Sequence, residues 1–141
     1  MATKDRIYID QIFSNIHKEI NAMMKDKGVS FETKEIFMLA MSLALETPTE
    51  IKGKKYGYFL LKNLRAHEIN FFYLCAWHSL KGVDKMADVD DIYKIAEQCA
   101  NTGFKTIKRL MAENKDNFIN MILLDTMNKF NDDTDDDAED Q

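Results

Sequence analysis

One proline and five glycines are all that punctuate 141 residues. These two residue types are the strongest local breakers of regular structure, so the segments between them run long. A turn-rich sandwich or barrel, which needs such residues at every hairpin, is excluded. Within the long segments apolar residues return every three or four positions, the period of a helix packed on one side. The chain therefore reads as mainly α: about six helices in one compact domain, residues 1–130, with one or two short β-strands. Apolar residues make up 45% of it, enough to fill a core.

The exceptions to the helical period fix the strands. Arg6-Ile7-Tyr8-Ile9-Asp10 alternates polar and apolar residues, and Tyr56-Gly57-Tyr58-Phe59-Leu60 is rich in aromatic β-formers. A helix is expected over residues 11–24 and ends at Gly28, where a left-handed C-terminal residue is needed. The next begins at a Ser30 or Thr33 cap and is stopped by Pro48. Residues 66–80 form a helix expected to be buried on most sides, with Leu74 and Cys75 widening the stripe through Phe72, Tyr73, Ala76 and Trp77. Asp88 is the expected cap of a helix through Cys99, Gly103 separates it from a short helix through Met111, and a last helix spans residues 116–130.

Charge is unevenly placed. The formal net charge is −5, yet residues 131–141 hold seven carboxylates and no cation, which leaves residues 1–130 at +2. Mutual repulsion predicts a disordered acidic tail over 131–141. No apolar run approaches the ~18 residues of a membrane span, and no apolar segment follows the first charges as a secretory signal requires. Two cysteines, Cys75 and Cys99, sit inside apolar patterns, as thiols kept reduced in a cytoplasmic protein would.

Catalytic chemistry needs convergent polar groups, and the sequence offers few. His67 and His78 return to nearly one helix face but stand about 16 Å apart along its axis, too far to share an ion. Cys75 and His78 can meet, but zinc asks for a third and fourth ligand of this type. Asp84, Asp88, Asp90 and Asp91 lack the central glycine and terminal glutamate of a calcium loop and read as helix-capping acids. No phosphate-binding glycine loop or nucleophile elbow occurs. The expectation is a protein that is not an enzyme and carries no cofactor or metal.

Binding residues are more evident. Lys52, Lys54, Lys55, Lys62 and Arg65 lie within fourteen residues that contain no acid, interleaved with Tyr56 and Tyr58. Clustered cations attract phosphate backbones, and tyrosine adds stacking or hydrogen bonding. Lys105, Lys108 and Arg109 make a second basic face. The opening order of strand, helix, tight turn and helix resembles the ribbon-helix-helix DNA-binding family. There two chains pair their strands and present outward side chains to the major groove. That resemblance implies a dimeric transcriptional regulator. Alternation aims Arg6, Tyr8 and Asp10 outward and Ile7 and Ile9 to the core. Arg6, Tyr8, Lys52, Lys54, Lys55, Tyr56, Lys62 and Arg65 are the candidate nucleic-acid contacts.

Three blocks carry a second resemblance: Asp5-Arg6-Ile7-Tyr8-Ile9, then Thr33-Lys34-Glu35-Ile36-Phe37-Met38-Leu39-Ala40, then Ile95-Ala96-Glu97-Gln98-Cys99-Ala100-Asn101-Thr102-Gly103-Phe104. In this order they resemble a small accessory protein family encoded beside DNA phosphorothioation (Dnd) gene clusters, whose corresponding late block is a helix, an Ala-Asn-Gly turn and a further helix. Thr102 departs from that pattern, standing at a position expected to be glycine. The resemblance implies a cytoplasmic accessory or adaptor protein of a DNA-modification or phage-defence system. It would work through protein partners of that complex, with DNA as a further partner. A homodimer is also expected, through the Arg6–Asp10 ribbon or the Met-rich first helix.

Overall fold

The computed structural model describes residues 5–44, 47–80 and 89–113. By internal contact the chain divides into Met1–Thr106 and Ile107–Gln141, and of the second unit only residues 107–113 are described. The described elements run β1 (Arg6–Asp10), α1 (Ile16–Met24), α2 (Thr33–Ser42), β2 (Lys55–Leu60), α3 (Ala66–Leu80) and α4 (Val89–Glu113). Single 3-10 turns follow β1, α1 and β2. The class is mainly helical with one two-stranded antiparallel sheet.

The two strands found by alternation pair with each other inside one chain. Ile9 faces Tyr56, Tyr8 faces Gly57 and Ile7 faces Phe59, so Tyr58 is an extra residue on β2 and makes a bulge. A bulge turns two successive side chains to one side of a strand. Here both Tyr58 and Phe59 are buried, alongside Ile7 and Ile9. Asp10, expected to point outward, is buried instead. Its carboxylate accepts the Ile12 and Gly53 N–H groups at 3.2 and 3.3 Å, which caps the turn after β1 and ties down the segment entering β2.

Capping chemistry also moves the helix ends. The 3-10 turn Gln11–Phe13 occupies the start of the predicted first helix, so α1 begins only at Ile16. Gly28 closes the following turn at φ +70°, as its position required. The cap of α2 is Glu32 rather than Ser30 or Thr33; its N–H is held by the Glu35 carboxylate at 2.9 Å, three residues on. The helix ends at Ser42, well before Pro48.

The largest departure concerns Gly103. The two helices expected on either side of it are one continuous helix, α4. Gly103 is buried, and a Cβ built there would overlap the Ala40 carbonyl of α2. Its missing side chain lets two helix backbones touch. Four helices are therefore described, not six. The expected helix 116–130, the tail 131–141 and the Asp88 cap lie outside the described residues.

The core is a relay of rings. Phe13 stacks on Phe104, Phe104 meets Tyr58 edge-on, Tyr58 leans on Phe59, and Phe37 joins Phe59 to Phe72, which meets Tyr93. Centroid separations of 5.4 to 6.2 Å place each pair in the favourable aromatic range. The relay draws on both strands' surroundings and on α2, α3 and α4, so these elements are fixed by one another.

Candidate functional site

The outward side of the ribbon collects part of the predicted basic set. Arg6 is exposed and its side chain lies over Gly57, within 3 Å of where a Cβ would stand; a larger residue there would displace it. Tyr8 is half-buried beside it, and Lys55 and Tyr56 are exposed at the start of β2. Lys52 and Lys54 are exposed in the segment entering the strand, and Lys62 is exposed on the turn leaving it. Arg65 is exposed just before α3. Of these cations only Arg6 and Lys55 stand on the strands; Lys52 and Lys54 precede β2, and Lys62 and Arg65 follow it.

A ribbon-helix-helix dimer uses its first strand to pair with a second chain. Here β1 is hydrogen-bonded to β2, and the Tyr8 N–H donates to the Glu97 carboxylate of α4 at 2.7 Å. The element order is that of the family, but the ribbon closes within one chain. α4 secures the rest of the approach to β2 as well. The Asn101 amide donates to the carbonyls of Thr49 and Glu50 at 3.3 and 3.0 Å, while Thr102 Oγ1 donates to the Thr47 carbonyl at 2.5 Å and meets Thr49 Oγ1 at 2.8 Å. The Ala100-Asn101-Thr102-Gly103 stretch, expected as a turn, is a mid-helix anchor instead. Two buried oxygens, Tyr58 OH and Asn101 Oδ1, have no hydrogen-bond partner among the described residues.

Beside Arg65 a polar hollow of about 700 Å³ opens between α1 and the start of α2. Its wall is fixed by Asn21, whose side chain both accepts from the Phe31 N–H at 2.8 Å and donates to the Phe31 carbonyl at 3.0 Å. His17 Nε2 lies 2.6 Å from the same carbonyl and 3.0 Å from Asn21 Nδ2. Lys34 is not available to a ligand. It donates to the buried Glu68 carboxylate at 2.9 Å and to the Asn63 carbonyl at 3.1 Å. Burial pushes the Glu68 carboxyl up, but the Arg65 N–H at 2.8 Å and the Lys34 ammonium prevail and hold it below the usual carboxylate range.

The surface that sequence reasoning missed is the outer side of α3. Leu74 is 62% exposed and Trp77 47%, although both were expected inside the stripe of a buried helix. With His67 and Asn70 they form a line at helical spacing. In all fifteen residues of α3 the one Lys, Arg, Asp or Glu is Glu68, and it is buried in its ion pair. The other described helices all expose charge: Lys18 and Glu19 on α1, Glu35 on α2, Asp91 and Lys94 on α4. Next to the line runs a groove of about 490 Å³ between α2 and α3, walled by Met38, Leu39, Ser42, His67, Glu68 and Phe71. The signal lay in the missing charges. A helix apolar all round reads as buried when only its pattern is counted.

Cys75 and Cys99 are buried, on α3 and α4. Burial and then the Cys99 thiol push Cys75 up to about 12, which keeps it protonated and unreactive at neutral pH. Among the described residues no three His, Cys, Asp or Glu side chains come together as metal ligands, and no helix is long and apolar enough to cross a membrane. Comparison with protein-family models, with curated proteins and with solved structures returned no match.

Proposed function

We propose that the chain is an accessory or adaptor protein of a DNA phosphorothioation-linked modification or phage-defence system, acting by protein–protein contact and catalysing no reaction itself. The observation that carries the contact role is the α3 face: an exposed Trp and Leu on a chargeless line beside an apolar groove. Aromatic and aliphatic anchors with charge kept away are what the centre of a protein interface requires. The setting rests on the block resemblance. Each block supplies structural residues: the strand β1, the start and core of α2, and the α4 residues that hold both.

Purification of the tagged full chain from its native host tests the proposal. Dnd components should be enriched with it, and Leu74→Glu or Trp77→Ala should weaken their retention about thirtyfold, the equivalent of a ~2 kcal/mol anchor. A chain that emerges alone, or whose partners ignore both substitutions, overturns the contact role.

A second reading is favoured by the exposed cations on the ribbon and in the segments flanking β2. Arg6, Lys52, Lys54, Lys55, Lys62 and Arg65 are all exposed, and no acid interrupts residues 52–65. In this reading the ribbon of a single chain, rather than one shared by two, lies on a nucleic-acid backbone. Its signature is duplex binding that falls steeply with salt.

A further inference from the structure

The outer face of the ribbon carries more than cations. Alternation and the pairing register place Arg6, Tyr8, Lys55 and Gly57 on that face, on the side away from the buried Ile7, Ile9 and Phe59. Tyr8 and Gly57 stand directly across from each other, and Arg6 is laid over the glycine. Its Cδ and Nη1 lie 2.6 and 3.0 Å from where a Cβ would stand. Glycine weakens a strand, and it is tolerated where another group must come close. Here it keeps the Arg6 guanidinium down on the sheet beside the half-buried Tyr8. Asp10 is the one acid of the two strands, and its carboxylate is buried on the Ile12 and Gly53 N–H groups. A planar cation next to an aromatic ring, with no free carboxylate from either strand, is the kind of surface on which an unpaired base stacks.

The same ribbon is poorly shaped for a duplex. A two-stranded ribbon about 10 Å across can enter the ~12 Å major groove when both its edges are free. One edge of β1 is covered here: the Tyr8 N–H donates to the Glu97 carboxylate of α4, which is buried in that position. A helix ~10 Å thick against the edge makes the whole too wide for the groove. It also sets a carboxylate where the groove wall would bring phosphates. A single strand needs no groove and lies across an open face. We infer that the outer face of the ribbon is a stacking platform for single-stranded nucleic acid. Arg6 and Tyr8 take unpaired bases, and Lys52, Lys54 and Lys55, all exposed, hold the flanking phosphates. The inference rests on the nucleic-acid reading above and names its substrate class.

Fluorescence anisotropy of the full chain tests the platform, using a labelled strand of about twelve thymidines, alone and annealed to its complement, at ~50 mM salt. The single strand should bind at least about tenfold more tightly than the duplex, which is held by charge alone. Two substitutions keep the charge and remove the platform. Arg6→Lys loses the planar group, and Gly57→Ala lifts the guanidinium away, because the new methyl meets only the far end of a flexible side chain. Each variant, shown by circular dichroism to be folded, should weaken single-strand binding about fivefold to tenfold and leave its salt slope unchanged. Tyr8→Leu should weaken it about tenfold. Tyr56→Leu should cost little, since this exposed ring pairs with Ile9 and so belongs to the other side of the ribbon. Duplex bound as tightly as the single strand overturns the single-strand assignment and leaves the nucleic-acid reading standing, whereas binding of neither overturns both. A preference for the single strand that survives Arg6→Lys, Gly57→Ala and Tyr8→Leu, or is lost equally with Tyr56→Leu, overturns the platform.

Discussion

Glu68 shows how one residue can serve a surface without touching a ligand. Its carboxylate accepts from the Arg65 N–H and from Lys34, so it caps α3 and pins α2 to it. The folded-state value lies below the unfolded one, so its contribution is complete above the ordinary carboxylate range and is lost as pH falls through the folded value. Thermal unfolding between about pH 5 and pH 3 should show a steeper loss of stability in the wild-type chain than in Glu68→Gln. Equal slopes would mean that the ion pair contributes nothing. At neutral pH, Lys34→Ala should destabilise by ~1–3 kcal/mol. The pair is mostly shielded, at 13% and 8% side-chain exposure, and the abandoned carboxylate would remain largely out of water. Residue patterns do not announce such a pairing. Lys34 and Glu68 are 34 positions apart and each looks like an ordinary surface charge.

The elements divide into those whose signals are local and those whose signals are not. α3 was legible to the residue, and the strands nearly so, because an apolar period or an alternation is written within one segment. Gly103 was misread because a glycine between two apolar runs looks like a helix end, while its purpose here is an approach that only the other element, α2, reveals. This makes a test with an unusual sign. In an exposed helix interior, Gly→Ala stabilises by ~1 kcal/mol. Gly103→Ala should instead destabilise by at least ~2 kcal/mol, because the new methyl meets a backbone carbonyl of α2 that no rotamer change can move aside. Chemical denaturation of the two proteins decides it; an unchanged or higher midpoint would show that the helices part freely. The same blindness hid the α3 face: exposure belongs to the packed molecule, and Leu74 reads identically whether covered or bare.

At the scale of the molecule, the charge split matters more than the net charge. Residues 1–130 carry +2 and residues 131–141 carry seven carboxylates. If the ribbon lies on nucleic acid, a truncation lacking 131–141 should bind duplex more tightly than the full chain at ~50 mM salt, where such charges are least screened. Lys54→Ala combined with Lys55→Ala should weaken binding and flatten its salt dependence, as should Arg6→Ala. Fluorescence anisotropy reads all three. An absence of binding at ~50 mM salt would end the nucleic-acid reading. The predicted cations are exposed, but only Arg6 and Lys55 stand on the paired strands, and the pairing that brings those strands together joins residues some fifty positions apart.

That pairing also dictates an order of events. β1 finds its strand partner only in residues 55–60, and the Tyr8 N–H its acceptor only at Glu97, 89 residues on. A chain emerging from the ribosome at ~5–20 residues per second leaves this β-branched strand without its partners for several seconds. Ile7 and Ile9, fully covered at the end, are on offer to any other extended segment until then. Separations of this length slow folding, because loop entropy is lost before contacts repay it. Of the described strands and helices, β1 is made first, and it waits through 89 residues for the acceptor of its Tyr8 N–H.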